Sequence, residues 1–212
     1  MNVIQAITPF QGQPLTHQLL LSLLKDYKRP NDKIHTLLQE QMLVPVKKGL
    51  YVPGPALKLR QPESFLLANH VYGPSYVSMD VALSYHGLIP ERVYEISSMT
   101  TKASHEFDTP AGRFAYYHLP FPYYAYGIRQ AKLDENQYAL VATPEKALSD
   151  KIVTTAGIIL RSRRMVMEYL VENLRIDEEV LAALDTNTMQ EWLGCAPKKK
   201  SLEMVIKTIK SL

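Results

Sequence analysis

Apolar side chains recur at helical spacing over residues 30–42 and then alternate through a short segment that doubles back. Ile34, Leu37, Leu38 and Met42 fall on one helix face, while Asn31, Lys33, Thr36, Gln39 and Gln41 lie off that stripe. Pro30 and Asn31 open the helix. The chain then extends through Leu43-Val44-Pro45-Val46, crosses Lys47-Lys48-Gly49 and returns through Leu50-Tyr51-Val52. This predicts two strands joined by a basic tip, with Gly49 permitting the tight turn. Upstream, Leu15, Leu19, Leu20, Leu23 and Leu24 predict a second helix running from about Gln13 to Lys25, with Pro14 suited to its first position. Residues 2–7 are expected to supply a first short helix. Helices followed by a basic hairpin match the order of a winged helix-turn-helix, so residues 1–54 are expected to bind nucleic acid.

Beyond this segment the pattern changes. Residues 55–66 follow Pro53-Gly54 with two further prolines, Pro55 and Pro62, and read as a linker. Residues 67–212 read as an α+β domain. A compact helix starts at Ser78, an N-cap candidate, with Asp80 in its first turn; it stops at Gly87, with Leu88 packing back and Pro90 beyond. Strand-like segments follow at Val93–Met99, a hairpin from Phe107 to Leu119 around Thr109-Pro110-Ala111-Gly112, and a pair flanking Asp134-Glu135-Asn136. Together they predict a small antiparallel sheet. Thr143-Pro144-Glu145 opens another helix, with cap, first-position proline and acid in order. From about Leu160 the chain is expected to be helical, broken near Ile176-Asp177 and Cys195-Ala196-Pro197. It ends in an amphipathic helix carrying Leu202, Val205, Ile206, Ile209 and Leu212 on one face.

Charge sharpens the picture. Six basic and three acidic groups give residues 1–54 an excess of +3, which is the whole excess of the 212-residue chain; the remaining eighteen basic and eighteen acidic groups cancel. Clustered cations matter for nucleic acid because phosphate contacts act through counterion release. Recognition helices read base edges from their amino ends, so Asn31, Lys33, His35, Thr36 and Gln39 are candidate base or near-base contacts. Lys28 and Arg29 in the preceding turn are candidate phosphate contacts, and Lys47 and Lys48 at the hairpin tip are expected along the backbone or minor groove. Each also reads as an ordinary solvated residue, and only the combination points to DNA. The same segment used solely for protein contacts is the competing reading.

Other classes find less support. No apolar run approaches the roughly 20 residues that span a bilayer, and the amino end lacks a secretory pattern. A lone Cys195 builds neither a disulfide framework nor a cysteine metal site, so a reducing cytoplasmic setting is expected.

Two blocks carry a resemblance. They are Ser75-Tyr76-Val77-Ser78 through Ala82-Leu83-Ser84-Tyr85-His86-Gly87-Leu88-Ile89, and Thr143-Pro144-Glu145-Lys146-Ala147-Leu148-Ser149-Asp150. Set behind a hairpin ending Lys48-Gly49-Leu50-Tyr51, they resemble the AbiEi family of antitoxins, from type IV toxin–antitoxin systems linked to abortive phage infection. The Thr109-Pro110-x-Gly112 hairpin also fits, and the similarity covers roughly residues 30–155. The resemblance implies an amino-terminal winged helix that binds double-stranded DNA in its own promoter and represses it. It also implies a second domain that counteracts a nucleotidyltransferase-like toxin from a neighbouring gene, without needing a stable complex. It brings no catalytic residues and no cofactor. A stand-alone winged-helix regulator without a toxin is the alternative.

An enzymatic rival is a magnesium-dependent nuclease using Asp80, Glu145, Lys146 and Asp150. Glu145 and Lys146 are adjacent and diverge by about 100° on a helix, and each acid also reads as a cap or surface group. Histidines 17, 35, 70, 86, 105 and 118 show no ligand spacing, so no metal site is expected. Tyr116-Tyr117 and Tyr123-Tyr124-x-Tyr126 invite either base stacking or packing of a proline-rich loop, with packing the expected role.

Overall fold

A computed structural model describes residues 3–212. The chain is α+β, with ten α-helices and two sheets among the described residues. Helix α1 (Val3–Ile7) falls within the expected first helix, whose Asn2 lies outside the described residues. After a single 3-10 turn come β1 (Leu15–Thr16), α2 (His17–Leu23), α3 (Pro30–Gln39), β2 (Leu43–Lys47) and β3 (Leu50–Pro53). The three strands form an antiparallel sheet in the order β1-β3-β2. Here the expected start of α2 is corrected. Leu15 and Thr16 pair with Tyr51 and Leu50 as a strand, and the helix begins only at His17. Thr16 caps it by accepting the Leu19 amide at 3.2 Å, so Pro14 precedes the strand instead of occupying the first turn. Pro30 does open α3, with Asp32 in its first turn.

Val3, Ile7, Leu15, Leu20, Leu24, Ile34, Leu37 and Leu43 close a first core under the helices. The hairpin's other face is not free. Val46, Leu50 and Val52 belong to the second, larger core, with Val44 packed against it. The small sheet is thus sandwiched between two apolar clusters.

The segment expected as linker is structured. Pro55–Leu57 make a 3-10 turn, and α4 (Ser64–Val71) starts within it. Gly54 is buried so tightly that a Cβ there would lie 2.0 Å from the Gln41 carbonyl oxygen. The far end of the second unit grips this region as well. Gln13 donates to the Asn136 carbonyl at 2.7 Å, the Glu63 amide donates to Gln137 Oε1 at 2.6 Å, and Arg60 pairs with Asp134.

The second sheet is larger and differently connected than expected. Strands β4 (Ser75–Val77), β5 (Ile96–Thr100), β6 (His105–Thr109), β7 (Gly112–His118), β8 (Ile128–Asp134) and β9 (Gln137–Ala142) form one six-stranded sheet in the order β6-β7-β5-β4-β9-β8. It is mixed rather than antiparallel, because β5 runs parallel to β7 and β4 parallel to β9. The cause is β4. Three residues with no alternation leave no strand pattern, yet all three are buried, and β4 joins the two predicted hairpins through the middle.

Helix α5 (Met79–Tyr85) follows β4. Its end is as expected: Gly87 is left-handed (φ 74°), its amide donates to the Ser84 carbonyl, and the Leu88 amide donates to that of Leu83 at 2.9 Å. Helix α6 (Pro144–Thr154) opens with Thr143 accepting the Lys146 amide at 3.3 Å. Then come α7 (Arg163–Met167), continuing into a π-helical turn at Glu168–Asn173, α8 (Glu178–Ala182), α9 (Thr186–Leu193) and α10 (Lys199–Ile209). The two predicted breaks are present, at residues 174–177 and 194–198, but a third that the pattern did not predict, at 183–185, separates α8 from α9. Helix α10 buries Leu202, Val205, Ile206 and Ile209, whereas Leu212, expected on the same face, lies beyond its end and is exposed.

Candidate functional site

The outer side of α3 is polar because Ile34 and Leu37 turn inward and their sequence neighbours cannot. Asn31, His35 and Gln39 recur every fourth residue and form one exposed row, with Gln39 Nε2 3.2 Å from His35 Nε2. Thr36 lies beside this row, its hydroxyl donating to the Asp32 carbonyl at 3.0 Å. Asp32 itself, which the sequence reading did not single out, sits on the same outward face. It holds Arg29 at 3.6 Å, both groups largely exposed, a geometry of little energetic weight in water. Lys28 is exposed in the loop before the helix. Lys33 separates from the others: it is about 200° around the axis from His35, and its ammonium lies 6.0 Å from the Tyr27 ring centroid.

The two lysines of the β2–β3 hairpin also part company. Lys48 is exposed beside Gly49, whose φ of 82° makes the tip turn and whose carbonyl accepts the His17 amide at 2.9 Å. Lys47 is partly buried, its Nζ 5.9 Å from the ring centroid of Phe107 on β6. Burial first, and the Lys102 charge second, push its pKa down. Six of the nine candidate contacts, Lys28, Arg29, Asn31, His35, Gln39 and Lys48, are therefore exposed; Thr36 is partly so, and Lys33 and Lys47 lean on aromatic rings.

The candidate nuclease residues meet in a different way. Lys146 and Asp150 are i and i+4 on α6, both with 0% of the side chain exposed, and pair at 2.7 Å. Asp150 had read as a surface or cap group; it is instead the centre of a sealed polar cluster. Its other oxygen accepts Tyr76 Oη at 2.9 Å and Ser78 Oγ at 2.7 Å. Ser78 therefore occupies the N-cap position of α5 without capping it. Lys146 Nζ also donates to the Tyr123 carbonyl at 3.1 Å and lies 3.3 Å from that ring's centroid. Desolvation lowers the Lys146 pKa, with Asp150 pulling the other way. Burial and the Asp150 charge push the Tyr76 and Tyr123 hydroxyls well above their ordinary value.

Asp80 and Glu145 point elsewhere. Asp80 pairs with Lys151 at 2.6 Å, and Glu145 Oε1 accepts the Asp185 amide at 3.2 Å. The four side chains share no open face. Among the described residues no group of three or more histidines, cysteines or carboxylates could hold a metal ion, and no helix is long and apolar enough to cross a membrane. Tyr116, Tyr123 and Tyr124 are buried, as packing requires.

The two sequence blocks at residues 75–89 and 143–150 thus converge on one buried network. Tyr76 and Ser78 come from the first block and Lys146 and Asp150 from the second, and His86 Nε2 of the first lies 2.8 Å from the Ala142 carbonyl. The signal for the pair was the Lys146–Asp150 spacing, which a reading centred on Glu145 and Lys146 passed over. No protein-family model and no curated protein matches this chain.

Proposed function

We propose that residues 1–54 are a winged helix-turn-helix and that the chain is a double-stranded-DNA-binding repressor of its own promoter. One observation carries this reading. The order α1-β1-α2-α3-β2-β3, with the sheet arranged β1-β3-β2, leaves the polar face of α3 bare while Ile34 and Leu37 on its opposite face close on the core beneath. A helix kept outward with Asn, His and Gln in a row suits base edges in the major groove. The exposed cations at Lys28, Arg29 and Lys48 suit phosphates on either side. Lys33 is a weaker candidate, since it rests against Tyr27.

The antitoxin role extends the same reading through the AbiEi resemblance. Residues 67–212 are the part that counteracts a nucleotidyltransferase-like toxin, without a stable complex and without catalysis. The sealed Lys146–Asp150 cluster supports a structural role for the residues that had suggested a nuclease.

Binding of the full chain to its own promoter, against a shuffled duplex, tests the DNA reading, and equal affinity for both overturns the repressor role. A growth assay with the toxin gene tests the antitoxin role: rescue by the full chain is expected. Absence of rescue beside intact promoter binding favours a stand-alone regulator.

A further inference from the structure

We propose that duplex DNA held by the wing continues onto the second unit, where Lys102 and His105 take the phosphates beyond the wing tip. This rests on the DNA-binding reading above and extends its footprint to residues outside 1–54.

The geometry is a shared aromatic platform. Lys47 Nζ, from the wing, lies 5.9 Å from the Phe107 centroid. Phe107 is 5.6 Å from Tyr72, and Lys102 Nζ sits 5.0 Å from the Tyr72 centroid. His105 closes the group, 4.5 Å from Phe107 and 5.9 Å from Tyr72. A cation from each unit thus rests on one continuous surface. Strand alternation keeps acids off it. His105 and Phe107 pair with Tyr116 and Phe114 on this face of β6, while Glu106 and Asp108 alternate to the other. Glu106 acts there, with Glu95, on Tyr117.

Neither Lys47 nor Lys102 takes part in an ion pair among the described residues. Lys102 donates one hydrogen bond to the Gly73 carbonyl at 2.5 Å, and an ammonium has three to give. Lys47 feels the Lys102 charge as a penalty. Two like charges gathered over ring faces with no carboxylate between them form a site that an anion relieves. Lys48 directly follows Lys47 in the chain, so a polyanion held at the hairpin tip has this site beside it.

The test uses the full chain and a duplex from its own promoter, titrated across a range of salt. Lys102→Met keeps the apolar stem over Tyr72 and removes the charge. Its slope of log affinity against log salt should fall by about 1. The ratio of affinities between about 50 and 200 mM salt then narrows roughly three- to fourfold. Lys102→Arg should retain the wild-type slope, and Lys210→Ala, which removes an exposed cation at the C-cap of α10, should do the same. An unchanged melting temperature shows that Lys102→Met is folded. If the wild type binds and folded Lys102→Met keeps the full slope, the extended footprint is wrong. It is equally wrong if Lys210→Ala loses as much slope, or if Lys102→Met impairs only toxin rescue, which would give the surface to the toxin. If the wild type itself does not bind the duplex, the DNA reading fails and this inference falls with it.

Discussion

Two regions of this molecule use polar side chains to opposite ends. On α3, Asn31, His35, Thr36 and Gln39 stand at the surface, bonded loosely to one another and to their own helix. On α6, Lys146 and Asp150 are sealed from solvent and bonded to groups on three other segments. Polar groups that have only water and near neighbours are free to exchange partners, which a binding surface needs. Polar groups shut in an apolar core have one arrangement, and losing one member strands the rest. The comparison separates an exchangeable polar surface from a fixed polar core by surroundings, since residue type alone would have put the lysine and aspartate among the chemistry.

The sharpest way to break the comparison is at Asp150. Asp150→Ala leaves the Lys146 ammonium buried without its partner and should cost about 3–5 kcal/mol, against a far smaller cost for Lys146→Met/Asp150→Leu, which removes both charges. Chemical denaturation of the three proteins checks this. Equal losses in the single and double variants would mean that the ion pair is not what the cluster protects.

A pH series comes next. The hydroxyls of Tyr76 and Tyr123 have folded-state pKa values well above the ordinary 10.0. Unfolded tyrosines ionise at that value while the native ones stay protonated, so the stability they contribute is whole below pH 10 and lost as pH climbs beyond it. Lys146 works in the opposite sense, since its lowered folded pKa makes the native state gain relative stability as pH rises toward 10.5. Lys47 and Lys198 act in the same sense as Lys146, but six tyrosines with raised values outweigh three lysines, so net alkaline unfolding is expected. Phenolate absorbance should appear with unfolding, and its appearance in a still-folded chain would contradict the burial of these rings.

The smallest effect on stability belongs to the exposed row. Asn31→Ala and Gln39→Ala should change unfolding free energy by no more than about 0.5 kcal/mol. They should nevertheless weaken promoter binding by about 1–3 kcal/mol where the side chain reads a base. Thermal melts beside binding titrations separate the two. A large stability loss with unchanged binding would move α3 from recognition to architecture.

Much of the N-terminal unit was legible because its signals are local. The Ile34–Leu37 stripe, Pro30 at the helix start and Gly49 at the tip each act within a few residues. So do the Gly87–Leu88 stop of α5 and the Thr143 cap of α6. Lys48 and the α3 row emerged as exposed for the same reason. Lys33 and Lys47 did not, because each is decided by an aromatic ring, Tyr27 or Phe107, that period counting does not place.

By itself, then, the amino-acid order determined helix faces, turns and most caps and breaks, all of which depend on hydrogen bonds and spacings spanning a turn or two. The tertiary structure alone decided that Ser75–Val77 is the strand uniting both hairpins, that the inner face of the β2–β3 hairpin belongs to the larger core, and that Asp150 is internal. Those outcomes turn on partners far along the chain. Tyr76 and Ser78 are 74 and 72 residues from the carboxylate they satisfy. Burial of a charge becomes tolerable only once such distant donors have been brought around it, so the fold had to be known before the aspartate could be assigned.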